Sequence, residues 1–465
     1  MDGTHRLRTL ASLAPMVALR TIPLGSPSLT NSIRDDDLVI ALDPDAALDS
    51  AGATALVEAA TDHPADAFFG DIVVAGGRLR RPAWSPTRLQ SDPVTASPIA
   101  VRAGWLRAHD LTGIDSAVVF RLVEHGARVA HLPTVLSHHP RGLAPADPGE
   151  VAAHRKRLGL TVESDADASV DVIVPSAGRS LPDGGPVAVA AMLESLAPAQ
   201  GVRFLVVVGE EFVADRSVLD RADVTVVERP AGPFNFSSAI NIGLQRATAD
   251  LVLLLNDDTE QLAAGSIATM AAHLTDPGVA AVGALLTYPD GTVQHDGIVI
   301  DDARPLHPFV GWDIADTEPH GGLIAREVIA VTGACLLARR RDLLAVGGLS
   351  TGFPLSFNDV DLCVRLQRSV GRVVIEPAAR FVHHETLSRE PVIAPEEWDR
   401  WIDRWGEIED PWYHPGFGRP DDSHHLHRNA DHLEPDDELP AAALRLREPL
   451  LRSRVHRARV PSASA

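Results

Sequence analysis

Two adjacent carboxylates, Asp257 and Asp258, follow an apolar run that extends from Leu251 to Leu255 and is separated from them by Asn256. A run this short and this apolar, bounded by polar residues, is typical of a strand covered on both faces in a parallel α/β sheet. Ligands of such sheets bind beyond the carboxyl ends of the strands. Paired oxygen ligands at that edge suit a Mg²⁺ or Mn²⁺ ion that carries a diphosphate. The simpler alternative is a turn in which an Asp caps the next helix.

The elements that must position these carboxylates alternate between strand and helix from about residue 168 onwards. Short β-branched runs predict the strands, and an apolar spacing of three to four residues predicts the helices. The predicted strands are 170–175, 204–208, 224–227, 251–255, 279–286, 328–337 and 372–375, and the predicted helices are 186–196, 236–247 and one that starts at Asn358. The alternation predicts an α/β nucleotide-binding sheet of the doubly wound kind.

Length, charge and cysteine content bound the class of protein. A chain of 465 residues has room for two or three domains, and a formal charge of −21 argues against a sequence-independent nucleic-acid binder. The two cysteines, Cys335 and Cys363, are too few for a disulfide framework or a zinc site, which indicates a reducing compartment. The N-terminal stretch is too weakly apolar for a secretory signal, and no segment approaches the roughly 20 apolar residues of a membrane span. A cytoplasmic protein is therefore expected.

The chain also repeats itself weakly and in order. The aligned pairs are Asp37–Asp45 (DLVIALDPD) with Asp250–Asp258 (DLVLLLNDD), Asp115–Leu122 with Asp359–Leu366, and His138-His139 with His383-His384. The two copies are unequal, because 85 positions separate Asp171 from Asn256 whereas 42 residues precede Asp43. The N-terminal copy lacks room for strands that would hold a nucleotide base. We expect it to be truncated and non-catalytic.

Three domains are predicted from this organisation: 1–165, the truncated copy; 166–418, the complete α/β unit; and 419–465, a linker and tail. Residues 421–440 are acidic, polar and proline-containing, which is typical of a flexible linker. The tail carries six arginines between 445 and 459 against one glutamate. Contact with a partner or with an anionic membrane surface is one interpretation of this tail, and a solvated helix is the other.

Several further motifs follow one another in a characteristic order. They are Pro175-Ser176, Pro233–Ser237, Asn256-Asp257-Asp258, Tyr288–His295, Val331–Cys335, Asn358–Asp361, His383, Arg404-Trp405-Gly406 and Asp410–Tyr413. No single motif is specific, but the ordered set, over about residues 171–417, resembles family 2 glycosyltransferases with the GT-A fold. The resemblance implies a mixed, Rossmann-like sheet with a smaller, degenerate α/β domain before it.

The resemblance also implies an activity. It is the inverting, metal-dependent transfer of a sugar from a nucleoside-diphosphate sugar to a hydroxyl group, with Asp359 as general base. Asp258 and His383 are the implied ligands of Mn²⁺ or Mg²⁺, with His384 as the alternative to His383. Cell-envelope polysaccharide or glycolipid is the implied acceptor, and peripheral membrane contact and the absence of nucleic acid are expected. The competing hypotheses are a non-catalytic carbohydrate- or partner-binding module and a sugar-nucleotide pyrophosphorylase.

The residues implied in donor binding lie on several elements. They are Pro175, Ser176, Arg179, Glu210, Asn241, Asn256, Asp257, Gly333 and Ala334. The family's second strand usually ends in an Asp that binds the base or ribose, whereas here it runs into Gly209-Glu210-Glu211, so Glu210 is the expected substitute. Gly333 and Ala334 would form a small-residue wall beside the donor sugar. A buried strand that needs small side chains is the equal alternative.

Overall fold

The computed structural model describes residues 17–23, 33–43, 45–74, 77–90, 98–111, 114–115, 117–141, 148–157, 169–196, 201–320, 322–385 and 393–413. These residues fall into two compact units, formed mainly by residues 1–158 and 159–413. The predicted boundary at 165–166 and the linker and tail predicted for 419–465 lie outside the described residues. In the part of the chain that is described, no helix is both long and apolar enough to cross a membrane.

The N-terminal unit is built on a seven-stranded sheet. Its described strands are β1 (Leu19–Pro23), β2 (Leu38–Leu42), β3 (Ala47–Leu48), β4 (Ala67–Val74), β5 (Gly77–Leu79), β6 (Ala100–Arg102) and β7 (Val129–His139). Its described helices are α1 (Ser50–Asp62), α2 (Pro86–Leu89), α3 (Ala103–Ala108), α4 (Val118–Glu124) and α5 (Pro148–Arg157). The strand order is β1-β2-β6-β4-β7-β3, with β5 paired to β4. The pairs β1–β2 and β4–β7 are parallel, and the others are antiparallel.

The C-terminal unit contains a larger sheet, a two-stranded hairpin and flanking helices. Its described strands are β8 (Val170–Ser176), β9 (Val202–Val208), β10 (Val224–Glu228), β11 (Leu251–Leu255), β12 (Thr259–Gln261), β13 (Val279–Thr287), β14 (Val293–His295), β15 (Val299–Asp301), β16 (Arg304–Leu306), β17 (Arg326–Glu327), β18 (Cys335–Arg339) and β19 (Arg372–His383). Its described α-helices are α6 (Ala188–Ser195), α7 (Phe236–Arg246), α8 (Ser266–His273), α9 (Arg340–Ala345), α10 (Asn358–Ser369) and α11 (Pro395–Trp405). Short 3-10 helices cover Pro182–Gly184, Arg216–Leu219 and Ile314–His320.

The large sheet is mixed, and its order is β10-β9-β8-β11-β18-β13-β19-β12. The four strands from β10 to β11 are parallel neighbours, β18 runs antiparallel to both β11 and β13, and β13 and β19 are parallel. Apolar side chains of the sheet pack against α6 and α8 to form the main core of this unit. The expected α/β class with a mixed sheet is confirmed.

The two sheets share one layout. In the same order and with the same relative directions, β1, β2, β6, β4, β7 and β3 correspond to β8, β11, β18, β13, β19 and β12. The hairpin strands β5 and β14 each pair with the corresponding strand, β4 or β13. The larger sheet continues past β8 with β9 and β10. Between β1 and β2 there are only residues 24–37, whereas 177–250 separate β8 from β11.

Two strand predictions were wrong in extent. Of the single strand predicted for 328–337, only the part from Cys335 onwards belongs to a strand, β18, because the chain turns at Thr332, whose Oγ1 accepts the Ala334 N–H at 3.3 Å. The short strand β17 ends before the predicted range, at Glu327. The strand predicted for 372–375 continues as β19 through His383, because its second half pairs with both β13 and the short strand β12. Gly283 in β13 lets the Val331 side chain pack directly against the strand backbone, since a Cβ at position 283 would lie 2.5 Å from the valine Cβ.

The close packing of α7 on β8 generates a stability prediction. A Cβ at Gly243 would lie 2.4 Å from Cγ2 of Ile173, in the buried centre of the strand. We expect Gly243→Ala to lower the free energy of unfolding by about 1–3 kcal/mol, because extra atoms in a packed core force side chains off their preferred rotamers. Denaturant unfolding would measure this. Gln245→Ala, an exposed position on the same helix, is the control, and equal stability of the two variants would contradict the packing.

Candidate active site

The carboxyl ends of β8 and β11 lie side by side because the two strands are parallel neighbours. Ser176 is the last residue of β8, and its hydroxyl donates a hydrogen bond to Oδ2 of Asp257 at 2.6 Å while accepting the Gly178 N–H at 3.0 Å. The pKa of Asp257 is raised to about 6, mainly by burial and also by the neighbouring Asp258, against the opposing effect of the Ser176 hydrogen bond. The strand ends thus carry a carboxylate for which a nearby positive charge would be favourable.

Asp258 and His383 are brought together by the pairing of β12 with β19. Thr259 lies opposite His383 in this antiparallel pair, and the backbone N–H of His384 donates to the carbonyl oxygen of Asp258 at 3.0 Å. As a result, Oδ1 of Asp258 lies 3.2 Å from Nε2 of His383. The adjacent His384 turns to another partner, with its Nε2 at 2.8 Å from Oε1 of Glu260.

Gln294 fixes the tautomer of His383. Its amide nitrogen donates to the carbonyl oxygen of His383 at 3.2 Å and to Oε2 of Glu385 at 3.1 Å, so its Oε1 is the acceptor that lies 2.7 Å from Nδ1 of His383. A proton on Nδ1 of His383 satisfies this acceptor and would leave the lone pair of Nε2 for a metal ion. The amide nitrogen of Asn256 lies 3.2 Å from that Nε2. A partner on the ring nitrogen that does not face the metal, as Gln294 is to Nδ1, is what orients a metal-binding histidine.

The pair fits a divalent ion. Adjacent ligands of an octahedral ion bound at about 2.1 Å lie about 3 Å apart, close to the 3.2 Å between the Asp258 and His383 atoms. Among the described residues, no group of three or more His, Cys, Asp or Glu side chains is arranged to hold a metal. Asp258 and His383 would therefore supply two ligands, and Mg²⁺ or Mn²⁺ ordinarily takes the remainder from water and phosphate oxygens.

Asp359 lies at the start of α10, across from the turn that leads into β18. Its Oδ2 accepts the Gly333 N–H at 2.9 Å, and its Oδ1 accepts the Val360 N–H at 2.8 Å. A Cβ at Gly333 would lie 3.4 Å from Cβ of Asp359, so the two residues lie in close proximity. The carbonyl oxygen of Ala334 in turn accepts the Asn256 N–H at 3.1 Å. A continuous set of backbone and side-chain contacts thus connects Asp359 with the pair formed by Asp258 and His383.

His295 supports the same turn from behind. It is buried, its Nε2 accepts the Thr332 N–H at 3.3 Å, and its Nδ1 lies 3.0 Å from Nδ1 of His307. Burial, as the largest cause, holds the pKa of His295 well below its ordinary range. The ring is therefore a neutral hydrogen-bonding partner of the backbone beside Gly333.

The other predicted donor-binding residues differ in their surroundings. Pro175 is buried within β8, and Arg179 and Glu210 are exposed beyond the ends of β8 and β9. The side chain of Asn241 on α7 is bonded through both amide atoms to the backbone of Leu349, at 2.8 and 2.9 Å. The structure thus groups Ser176, Asn256, Asp257, Asp258, Gly333, Ala334, Asp359 and His383, whereas Asn241 is bonded elsewhere. The donor-binding roles of all the predicted residues, those that are grouped here included, stay predictions.

Gln294 is the site residue that the sequence did not single out. It lies in the Tyr288–His295 motif, but a three-residue strand such as β14 leaves too short a pattern to predict. The two cysteines play no part in the site chemistry. Both are buried, and burial raises the pKa of the Cys335 and Cys363 thiols far above the ordinary value, so neither is available as a thiolate.

Several proteins are similar to parts of the chain. "Uncharacterized protein y4gI" of Sinorhizobium fredii is 35% identical over 207 residues, 41% of this chain and 22% of that protein. "O-antigen biosynthesis protein RfbC" of Myxococcus xanthus is 34% identical over 194 residues, 39% of this chain and 15% of that protein. "N-acetylglucosaminyl-diphospho-decaprenol L-rhamnosyltransferase" of Mycobacterium tuberculosis is 31% identical over 149 residues, 30% of this chain and 48% of that protein. The chain thus covers less than half the length of each of these relatives. No protein-family model matches it.

Solved structures show a more distant similarity. The crystal structure of GalNAc-T7 with UDP, GalNAc and Mn²⁺ is 12% identical, with a TM-score of 0.39 over 52% of this chain and 48% of that one. Mannosyltransferase PcManGT from Pyrobaculum calidifontis, in complex with GDP-Man and Mn²⁺, is 17% identical, with a TM-score of 0.35 over 58% of this chain and 68% of that one. Scores this low carry no argument about the site, which depends on the geometry given above.

The geometry predicts which histidine binds metal. We expect His383→Ala and Asp258→Ala to abolish Mn²⁺-dependent binding of a nucleoside diphosphate, because each removes one of the two protein ligands. Gln294→Ala should weaken it by about 10- to 100-fold, since it removes the partner that orients His383. Isothermal titration calorimetry would measure these affinities. His384→Ala is the matched control and should keep the wild-type affinity. Loss of affinity in His384→Ala, with unchanged affinity in His383→Ala, would contradict the assignment.

Proposed function

We propose that this chain is an inverting, metal-dependent glycosyltransferase that moves a sugar from a nucleoside-diphosphate sugar to a hydroxyl group of an acceptor. The observation that carries the proposal is the connected set of contacts from Asp258 and His383, through Asn256 and Ala334, to Gly333 and Asp359. One end of this set fits a metal-bound diphosphate, and the other presents a carboxylate. The names of two of the relatives, an O-antigen biosynthesis protein and a rhamnosyltransferase, support the same class of reaction.

The donor would bind over the ends of β8 and β11. When bound, Mn²⁺ or Mg²⁺ would offset the charge that develops on the departing diphosphate. Ser176 holds the Asp257 carboxylate in place by its 2.6 Å hydrogen bond, and Gln294 holds His383 through Nδ1 at 2.7 Å so that Nε2 faces Asp258. The small residues Gly333 and Ala334 leave space for the sugar beside Asp359.

Asp359 is the proposed general base. Inversion needs one group to accept the proton of the attacking hydroxyl and no covalent intermediate on the protein. The Gly333 and Val360 N–H groups hold the two carboxylate oxygens in fixed directions, so the group is positioned before the acceptor arrives. The acceptor hydroxyl would therefore approach Asp359 beside Gly333 and Ala334, in the turn before β18.

The acceptor that the relatives' names favour is a saccharide or a glycolipid of the cell envelope. A rhamnose-, galactose- or glucose-type donor is consistent with this class. At the nucleotide end, Glu211 is paired with Arg229 at 2.6 Å, whereas Glu210 is exposed at the end of β9. Glu210 is therefore the carboxylate that we propose to meet the base or ribose. A membrane-linked acceptor would also give the basic tail at 445–459 a surface to contact.

The N-terminal unit is proposed to be a non-catalytic copy. The counterparts of Asp258 and His383 are Asp45 and His138, but here Asp45 lies 3.1 Å from Arg141, and His138 lies 3.2 Å from Asp49. Each potential ligand thus has another partner. Residues 24–37, which join β1 to β2, are also too few to supply counterparts of β9, β10 and their helices.

The base assignment is tested by Asp359→Asn, which keeps the side-chain shape but does not accept a proton. We expect turnover to fall by about 10²- to 10⁴-fold while the affinity for the donor stays within a few-fold. Transfer and donor-binding assays on the same preparation would separate the two quantities. Asp215→Asn, which alters an exposed capping carboxylate, is the control. A collapse of donor affinity with turnover of bound donor intact would make Asp359 a binding residue instead.

The non-catalytic role of the N-terminal unit can be tested in the same assay. We expect the double substitution Asp43→Ala, Asp45→Ala to leave the transfer rate within about two-fold, because substitutions away from a site usually change stability by less than roughly 0.5 kcal/mol. Steady-state kinetics would measure the rate, and circular dichroism would check the fold. A hundredfold loss in a folded variant would show that this unit takes part in the chemistry.

A further inference from the structure

Helix α11 contacts the turn that leads into the helix carrying Asp359. The link is Glu397, which is buried and whose Oε1 accepts two backbone N–H groups, from Leu355 at 2.9 Å and from Ser356 at 2.8 Å. Both hydrogen bonds converge on one carboxylate oxygen. A buried carboxylate costs free energy unless it accepts hydrogen bonds, and these two N–H groups supply them. The N–H groups would in turn lose their acceptor if Glu397 were removed.

The next residue, Phe357, has an unusual backbone conformation. Its φ is 60°, in the left-handed region that bulky residues rarely adopt. Its ring stacks on Trp401 at 5.3 Å between centroids and lies 5.8 Å from the ring of Trp398, both on α11. Its carbonyl oxygen accepts the Asp361 N–H at 2.9 Å, which begins α10. A disfavoured conformation persists only where its surroundings impose it, and here α11 supplies them.

A second tie lies on the other side of Asp359. The buried carboxylate of Asp361 lies 3.0 Å from a guanidinium nitrogen of Arg404 and accepts the indole N–H of Trp405 at 3.0 Å. Helix α11 therefore contacts the chain on both sides of Asp359 in the sequence. Glu397 holds the turn that precedes it, and Arg404 and Trp405 hold the first turn of the helix.

We propose that Glu397 is a positioning residue for the general base: by holding the Leu355–Phe357 turn, it sets where α10 begins and hence where the Asp359 carboxylate points. This inference rests on the proposed function. A displacement of about 1 Å at a reacting group can cost 10²-fold in rate, so the position of the turn bears on turnover although Glu397 has no hydrogen bond to Asp359 itself among its described contacts. The effect should fall on kcat and not on donor binding, because Asp258 lies between β11 and β12 and His383 lies at the end of β19, away from this turn.

The experiment compares Glu397→Ala with Glu397→Gln. A glutamine retains an oxygen at the place of Oε1 and can accept the same two N–H groups, whereas alanine removes the acceptor. We expect Glu397→Ala to lower kcat by about 10- to 100-fold, with the KM for the nucleotide sugar within about threefold, and Glu397→Gln to restore kcat to within about threefold of the wild type. Glu396→Ala, at the exposed neighbouring position, is the control and should match the wild type.

Each outcome decides the proposal. Unchanged kcat in the alanine variant, or equal losses in the alanine and glutamine variants, would overturn the positioning role while leaving the proposed function intact. A parallel rise in KM and fall in unfolding temperature would reduce Glu397 to a structural residue. If the alanine variant does not fold, Glu397→Asp, whose carboxylate is one methylene short, carries the same expectation. A wild-type protein that binds no Mn²⁺–nucleoside diphosphate and transfers no sugar would instead contradict the proposed function itself.

Discussion

The antiparallel pairing of the three-residue strand β12 with the end of β19 is the constraint on which the site depends. It sets Thr259 opposite His383, and the N–H of His384 bonds the Asp258 carbonyl oxygen at 3.0 Å. In this arrangement Nε2 of His383 lies 3.2 Å from Oδ1 of Asp258, whereas Nε2 of His384 lies 2.8 Å from Oε1 of Glu260, so the two histidines face different carboxylates. A shift of this register would move His383 away from Asp258 and break up the pair proposed to hold the metal.

The sequence predicted the parts of the site that come from local pattern. The apolar run Leu251–Leu255 is β11 with the same bounds, and the helix predicted from Asn358 is α10. What it did not predict depends on contacts between distant segments: the strand β12, the role of Gln294, and the choice between the two histidines. Three residues carry no readable periodicity, and an amide that bonds a histidine 89 positions away leaves no local signal. Asn241, which the resemblance placed at the donor, bonds the backbone of Leu349.

The two units show how one sheet layout can carry different surface chemistry. Six strands follow the same order and directions in both, but the larger sheet adds β9 and β10 beside β8. In the larger sheet Asp258 and His383 face one another. In the N-terminal unit Asp45 is instead paired with Arg141, and His138 with Asp49. The shared layout therefore sets where polar side chains emerge, and single residues around that edge decide whether they can hold an ion. Function has to be argued from those residues.

The location of the metal is the most direct test of the account. Crystals of the chain grown with Mn²⁺ and a nucleoside diphosphate would give an anomalous-difference map in which manganese can be assigned without reference to the fold. The account predicts one peak within about 2.0–2.3 Å of both Oδ1 of Asp258 and Nε2 of His383, with diphosphate oxygens completing the coordination. A manganese peak bound elsewhere, with the diphosphate away from the ends of β8 and β11, would contradict it.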